Sequence, residues 1–137
     1  DCTIEETGMD VISRGTDILI FVTGSILEEV MGASDMLQKD KVSANIINVT
    51  TLKPFNSKYA IALMQKYNKM YCVEEQNICG GLRSILSEAI TLEGLAKKVI
   101  PIGLNDCFAE GYGSYKAVRK KNSLDANGIY KKIMETL

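Results

Sequence analysis

Three short stretches collect the residues best suited to chemistry: Gly24-Ser25, Glu74-Glu75-Gln76-Asn77-Ile78-Cys79-Gly80-Gly81, and Gly103-Leu104-Asn105-Asp106-Cys107-Phe108. Gly24-Ser25 and Gly80-Gly81 each stand before a segment of helical spacing, where free backbone N–H groups would hold a small anion. Neither GxGxxG nor GxxxxGK(S/T) is present, so no dinucleotide fingerprint or phosphate-cradling loop reinforces that chemistry. Tight strand-to-helix turns, with Ser25 as a helix cap, account for the same residues. Glu74 and Glu75 are paired carboxylates at the end of an apolar run. Successive strand residues point to opposite faces, so the two are expected to diverge, whereas an acid/base pair must converge on one substrate. A hydrogen-bonded loop carboxylate or an interface contact suits them better, and ordinary Asn/Asp turn chemistry explains Asp106.

What is absent narrows the chemistry further. The 137 residues contain no histidine, so this chain cannot build a Ser-His-Asp or Cys-His centre alone and lacks the commonest metal ligand. Cys2, Cys72, Cys79 and Cys107 form no CxxC pair, and zinc spacing fails. Reduced, packed thiols in a cytoplasmic setting are expected, with Cys72 in Met70-Tyr71-Cys72-Val73 acting as a small core hydrophobe. Sixteen basic residues against seventeen acidic ones leave a net charge of −1, which supplies no overall field for nucleic acid or acidic lipid. Neither is expected as a partner. The charge is uneven: residues 1–40 hold nine acids and two bases, while Lys116, Arg119, Lys120, Lys121, Lys131 and Lys132 crowd the end. A solvated basic helix end explains this, as would the orientation of one subunit against another. The segment Phe108-Ala109-Glu110-Gly111-Tyr112-Gly113-Ser114-Tyr115 combines tyrosines with glycines, a composition suited to contacts as much as to packing.

Placing those loops falls to alternating strands and helices. A length of 137 residues with 46% apolar and 24% charged residues is that of one soluble globular domain, and no signal peptide is visible at the start. Residues 1–8 read as a linker remnant and 9–137 as the domain. The unbroken apolar run 17–23 is expected to be a central strand covered on both faces, followed by a helix over 26–37. A strand over 42–49 and a helix over 58–67, capped by Asn56 or Ser57, come next. A strand at 69–74, a helix at 82–92, a strand at 98–102 and a helix at 125–137 complete the alternation. Residues 9–13 read as an edge strand whose sense the pattern leaves open. The fold class is α/β, with a mostly parallel sheet and helices on both faces. In such sheets ligands bind beyond the carboxyl ends of the strands, which is where all three stretches fall.

Four motifs in order resemble a known family. They are Gly15-Thr16-Asp17-Ile18-Leu19-Ile20-Phe21-Val22-Thr23-Gly24-Ser25; Asn48-Val49-Thr50-Thr51-Leu52-Lys53-Pro54-Phe55-Asn56; Val73-Glu74-Glu75-Gln76 with Gly80-Gly81-Leu82; and Asp106-Cys107-Phe108-Ala109-Glu110 followed by Ser123-Leu124-Asp125-Ala126-Asn127-Gly128-Ile129. Together they resemble the carboxyl-terminal domain of transketolase-like thiamine-diphosphate enzymes, over about residues 9–136. That family includes transketolase, deoxyxylulose-phosphate synthase and the beta subunits of 2-oxoacid dehydrogenases. The resemblance implies three α/β/α layers around a five-stranded, mostly parallel mixed sheet whose first edge strand is antiparallel. It implies that thiamine diphosphate and Mg2+ sit between separate pyrimidine- and pyrophosphate-binding domains of a dimeric parent enzyme. This domain would then hold no catalytic, cofactor-binding or metal residue and would support the dimer. Glu75, Gln76, Gly80 and Gly81 would face the rest of the enzyme, with Gly24, Ser25 and Arg83 as further interface or cleft candidates. Two departures from the family pattern are visible: Gln76 stands where many relatives have histidine, and Arg83 where they have a small residue. Near a helix start, Arg83 suits a partner carboxylate or a phosphate. The alternative is a stand-alone doubly wound module holding a small anion or nucleotide at the Gly24-Ser25 and Gly80-Gly81 loops.

Overall fold

The computed structural model describes residues 8–24, 26–50, 55–77, 81–104 and 125–137. Among these, in chain order, lie β1 (Met9–Ser13), β2 (Ile18–Val22), α1 (Leu27–Lys39), β3 (Ala44–Val49), α2 (Ser57–Met64), β4 (Met70–Asn77), α3 (Gly81–Leu92), β5 (Val99–Leu104) and α4 (Ala126–Thr136). The strands form one sheet in the order β1-β3-β2-β4-β5. β1 pairs antiparallel with β3, while β2, β3, β4 and β5 run parallel. The expected edge strand is present, and its sense is the one the family resemblance implied.

Alternation along the central strand builds the layers. Every residue of β2 is fully buried, Leu19 and Phe21 joining the core under α2 and α3, and Ile18, Ile20 and Val22 joining the core under α1 and α4. A strand covered on both faces has no solvent side to mark with polar residues, which is why this segment reads as unbroken apolar sequence. On one face α1 and α4 approach closely, since a Cβ added at Gly32 would lie 2.9 Å from the Ala126 Cβ. The Ala126 amide donates to Glu29 Oε2 at 2.8 Å, placing a carboxylate against the positive end of α4. Asp125 and Asn56 cap their helices as their types suggest, accepting from the Gly128 amide at 2.9 Å and the Tyr59 amide at 3.0 Å.

Several boundaries differ from the sequence pattern for identifiable reasons. α2 ends at Met64 instead of running to 67, because the Tyr67 hydroxyl turns back to donate to the Gly15 carbonyl at 2.6 Å and accept from Asn45 Nδ2 at 2.9 Å. β3 begins at Ala44 instead of 42, since Ser43 is taken up by Asp17, whose Oδ2 accepts from the Ser43 amide at 2.7 Å and hydroxyl at 3.0 Å. Those bonds also hold the Asp17 carboxyl below its ordinary pKa. Between them Gly15 passes so close to β3 that a Cβ there would fall 2.5 Å from the Ala44 backbone.

Candidate functional site

The chain leaves β2 for β3 on one side and later returns to β4 on the other, so the winding direction reverses between β2 and β4. α1 follows β2 onto one face and α3 follows β4 onto the other. Their carboxyl ends therefore border the crevice where α/β sheets place ligands. Thr23 ties this edge together, its amide donating to the Val73 carbonyl at 3.4 Å and its hydroxyl to the Val49 carbonyl at 3.0 Å. Gly24 follows with φ +87°, a turn that glycine makes without strain. Ser25 and Gly80 lie outside the described residues, and with Ser25 the cap expected of it. α1 starts one residue later than its pattern suggests, at Leu27, with Ile26 at the cap position and no side-chain cap bond.

β4 continues to Asn77, beyond the polar residues expected to end it. Val73 opposes Ile102 on β5 and Asn77 opposes Leu104, so four steps along β4 match two along β5 and the strand bulges at 74–76. Bulges of this kind re-aim side chains next to functional sites. Glu75 and Gln76 belong to the bulge. Just before them, Glu74 shares the face of Cys72, toward α3, and is only 2% exposed. Its Oε2 accepts from the Leu82 amide at 2.9 Å, so the carboxylate caps the first turn of α3. Burial pushes the Glu74 carboxyl above its ordinary pKa, and the Leu82 and Arg83 amides offset part of that shift. Glu74 Oε1 and Arg83 Nε are both buried without hydrogen-bond partners. Gly81 opens α3 with φ +61°, and Arg83 sits in the same first turn.

Sequence reasoning singled out Glu75 and Gln76, and passed over Glu74 as the residue that organises this edge. The signal was available in the alternation: Glu74 follows Cys72 by two positions and must face the same layer, which is the layer of α3. The structure thus brings Gly24, Gly81 and Arg83 to the carboxyl edge of the sheet, together with the backbone of Glu75 and Gln76. Cys72 lies beneath them, 1% exposed, its thiol pushed well above the ordinary range by burial first and by Glu74 second. A thiol so shifted is a packing group and not a nucleophile. Cys2, Cys79, Cys107, Asp106 and the Tyr112 and Tyr115 segment fall outside the described residues.

The described residues of this edge are poorly suited to a phosphate. α1 carries Glu28 and Glu29 in its first turn, and the α3 amides are already engaged by Glu74. An incoming anion would meet a carboxylate at either helix start, which costs free energy where an empty helix end would contribute it. Among the described residues no group of three or more Cys, Asp or Glu side chains is placed to hold a metal ion. These donors do not fit a diphosphate with its Mg2+.

Residues 8–129 match the family model of the transketolase C-terminal domain. The chain belongs to this family. This transketolase C-terminal domain is 31% identical, over all of its 137 residues, to a Methanocaldococcus jannaschii protein described as a candidate transketolase C-terminal section, of which it covers 42%. It is 33% identical over 134 residues to the 1-deoxy-D-xylulose-5-phosphate synthase of Dictyoglomus turgidum, covering 22% of that enzyme. Among solved structures, a split-gene transketolase described as an inactive beta4 tetramer superposes with a TM-score of 0.83 at 24% identity, over 95% of this chain and 42% of that one. A Pichia stipitis transketolase superposes with a TM-score of 0.73 at 18% identity, over 95% of this chain and 18% of that one. At these identities the solved structures speak for the fold, and they share its five-stranded mixed sheet between helices. The domain spans less than half the length of each of these relatives. None of its described helices is long and apolar enough to cross a membrane.

Proposed function

We propose that this chain is the carboxyl-terminal structural part of a thiamine-diphosphate-dependent enzyme that transfers a two-carbon ketol or related acyl unit. Its role is to support the dimer and the neighbouring pyrimidine- and pyrophosphate-binding domains, and it has no activity of its own. The observation that carries this reading is the match of residues 8–129 to the transketolase C-terminal domain, by a chain covering 42% of one relative and 22% of another. The site chemistry supports it, because the helix starts at the carboxyl edge carry their own carboxylates and would repel the cofactor's diphosphate. The bulged β4 edge, with Glu75, Gln76, Gly80, Gly81 and Arg83, is the face directed at the rest of the enzyme. Buried polar atoms lacking partners there, on Glu74 and Arg83, are those that reorganisation against a neighbour would satisfy. Calorimetric titration of the isolated chain with thiamine diphosphate and Mg2+ is expected to give no saturable heat. Adding the complementary cofactor-binding sections is expected to yield a complex with cofactor-dependent ketol transfer. Micromolar binding of the cofactor by this chain alone would overturn the proposal.

A further inference from the structure

Asn127-Gly128 is the one Asn-Gly pair in the sequence, and it lies in the first turn of α4 with Asn127 exposed. Glycine has no Cβ to shield its backbone nitrogen, so after an asparagine it leaves that nitrogen open to attack the side-chain amide. The reaction balances without a cofactor. The Gly128 nitrogen bonds to Asn127 Cγ, the Cγ–Nδ2 bond breaks, and ammonia departs with the proton given up by Gly128. Water then opens the cyclic imide at either carbonyl, leaving aspartate, or isoaspartate whose main chain runs through the former side-chain carbon.

In the folded chain the attacking nitrogen is held. The Gly128 amide donates to Asp125 Oδ1 at 2.9 Å, and an amide this close to a helix start has no carbonyl one turn back to replace that bond. Ring closure consumes the same N–H, so the capped and reacting states exclude each other. The other ties of this turn are the Ala126 amide on Glu29 Oε2 at 2.8 Å and the Ile129 amide on the Asp125 carbonyl at 2.9 Å. Farther along, α4 is anchored by Ile129 and Ile133, both fully buried, and by Thr136 Oγ1 against the Tyr71 hydroxyl at 2.8 Å. A helix buried along its length and tied at its start by a few such bonds opens from the start while the rest stays in place. We infer that Asn127 is a site of spontaneous hydrolytic modification whose rate is set by release of the Asp125 cap from Gly128. The isoaspartate product lengthens the main chain between Asp125 and Gly128, which breaks the cap permanently and loosens the end of α4 that packs on Gly32 of α1.

The test is incubation of the full chain at physiological pH and temperature, read by tandem mass spectrometry of the peptide carrying residue 127 and by isoaspartyl methyltransferase labelling. The same chain unfolded in urea gives the rate of an open site. Folded wild type is expected to convert at Asn127 more slowly by roughly tenfold or more, the ratio reporting how seldom the turn opens. Asp125→Ala, which loses the cap, is expected to speed conversion roughly fivefold, and Asp125→Ser, which keeps a capping oxygen, to stay within about twofold of wild type. Tyr67→Phe, which weakens the opposite face of the sheet, is expected to convert at the wild-type rate. Conversion in folded wild type as fast as in urea, no gain in Asp125→Ala, or equal acceleration in Asp125→Ser or Tyr67→Phe would overturn the proposal.

Discussion

Tyr67→Phe tests the polar joint that holds the amino ends of β2, β3 and β4 in register. The ring is 8% exposed and packs in the core under α2 and α3, so phenylalanine fills the same volume and only the hydroxyl is lost. That hydroxyl donates to the Gly15 carbonyl at 2.6 Å and accepts from Asn45 Nδ2 at 2.9 Å, across sequence separations of 52 and 22 residues. Its removal strands two groups at once. Asn45 is 9% exposed and its Oδ1 already lacks a partner, so the bond from its amide nitrogen to Tyr67 is the polar contact this side chain stands to lose. A buried polar group left unpaired costs about 1–3 kcal/mol, and Gly15, being only half-buried, falls at the lower end through access to water. The sum is about 2–4 kcal/mol, a large fraction of the ~5–15 kcal/mol by which domains are stable. With an unfolding entropy of about 2.1 cal/mol/K per residue, the melting temperature should fall by roughly 7–14 °C. Urea unfolding followed by circular dichroism is expected to show a lower midpoint with an unchanged slope, since the surface exposed on unfolding is the same. Adding Asn45→Leu in the Tyr67→Phe background should recover part of the loss, because the stranded amide is then gone as well. A loss below about 0.5 kcal/mol for the single variant would refute the reasoning, as it would mean that both groups find other partners without cost.

Two further outcomes follow from close contacts and from charge. Glu74→Gln should change the pH dependence of stability: the folded-state pKa of Glu74 is raised, so the wild type loses stability as pH climbs from the ordinary glutamate range through that raised value. The variant lacks this loss, and its stability relative to wild type should rise across that window by at most ~1.4 kcal/mol per pH unit and then level off. Thermal melts from pH 4 to 8 check this, and a constant difference would contradict it. Gly15→Ala should destabilise by on the order of 2–3 kcal/mol, because its Cβ would fall 2.5 Å from the Ala44 backbone, which cannot swing aside as a flexible side chain can. Chemical denaturation measures it, and a neutral result would mean that the β2–β3 entrance is looser than its hydrogen bonds imply.

The legible parts of this fold are those whose residues report their own environment. The β2 run, fully buried on both faces, could only be a central strand, and Asn56, one of two cap candidates, announced the helix it caps. The alternation of apolar strands and amphipathic helices then left a doubly wound sheet as the economical packing. The parts that were not legible are those whose partners lie far along the chain. Tyr67 fits a helical pattern, yet it leaves α2 because Gly15 and Asn45 offer its hydroxyl a buried pair of bonds. The polar residues 75–77 carry no strand signature, and they join β4 because β5 lies alongside, Asn77 pairing with Leu104 across a bulge.

The same division runs through the candidate site. Its location at the strand ends followed from composition and turn residues, because glycines and polar loops must sit where an apolar sheet stops. Its occupancy did not, since only folding shows that Glu74 takes up the α3 amides that an anion would need. By itself the sequence determined the elements, the layers and the absence of histidine chemistry, all local or compositional properties. The tertiary structure decided which carboxylate is buried and which helix start it already fills. Those depend on distances between residues that no local pattern encodes.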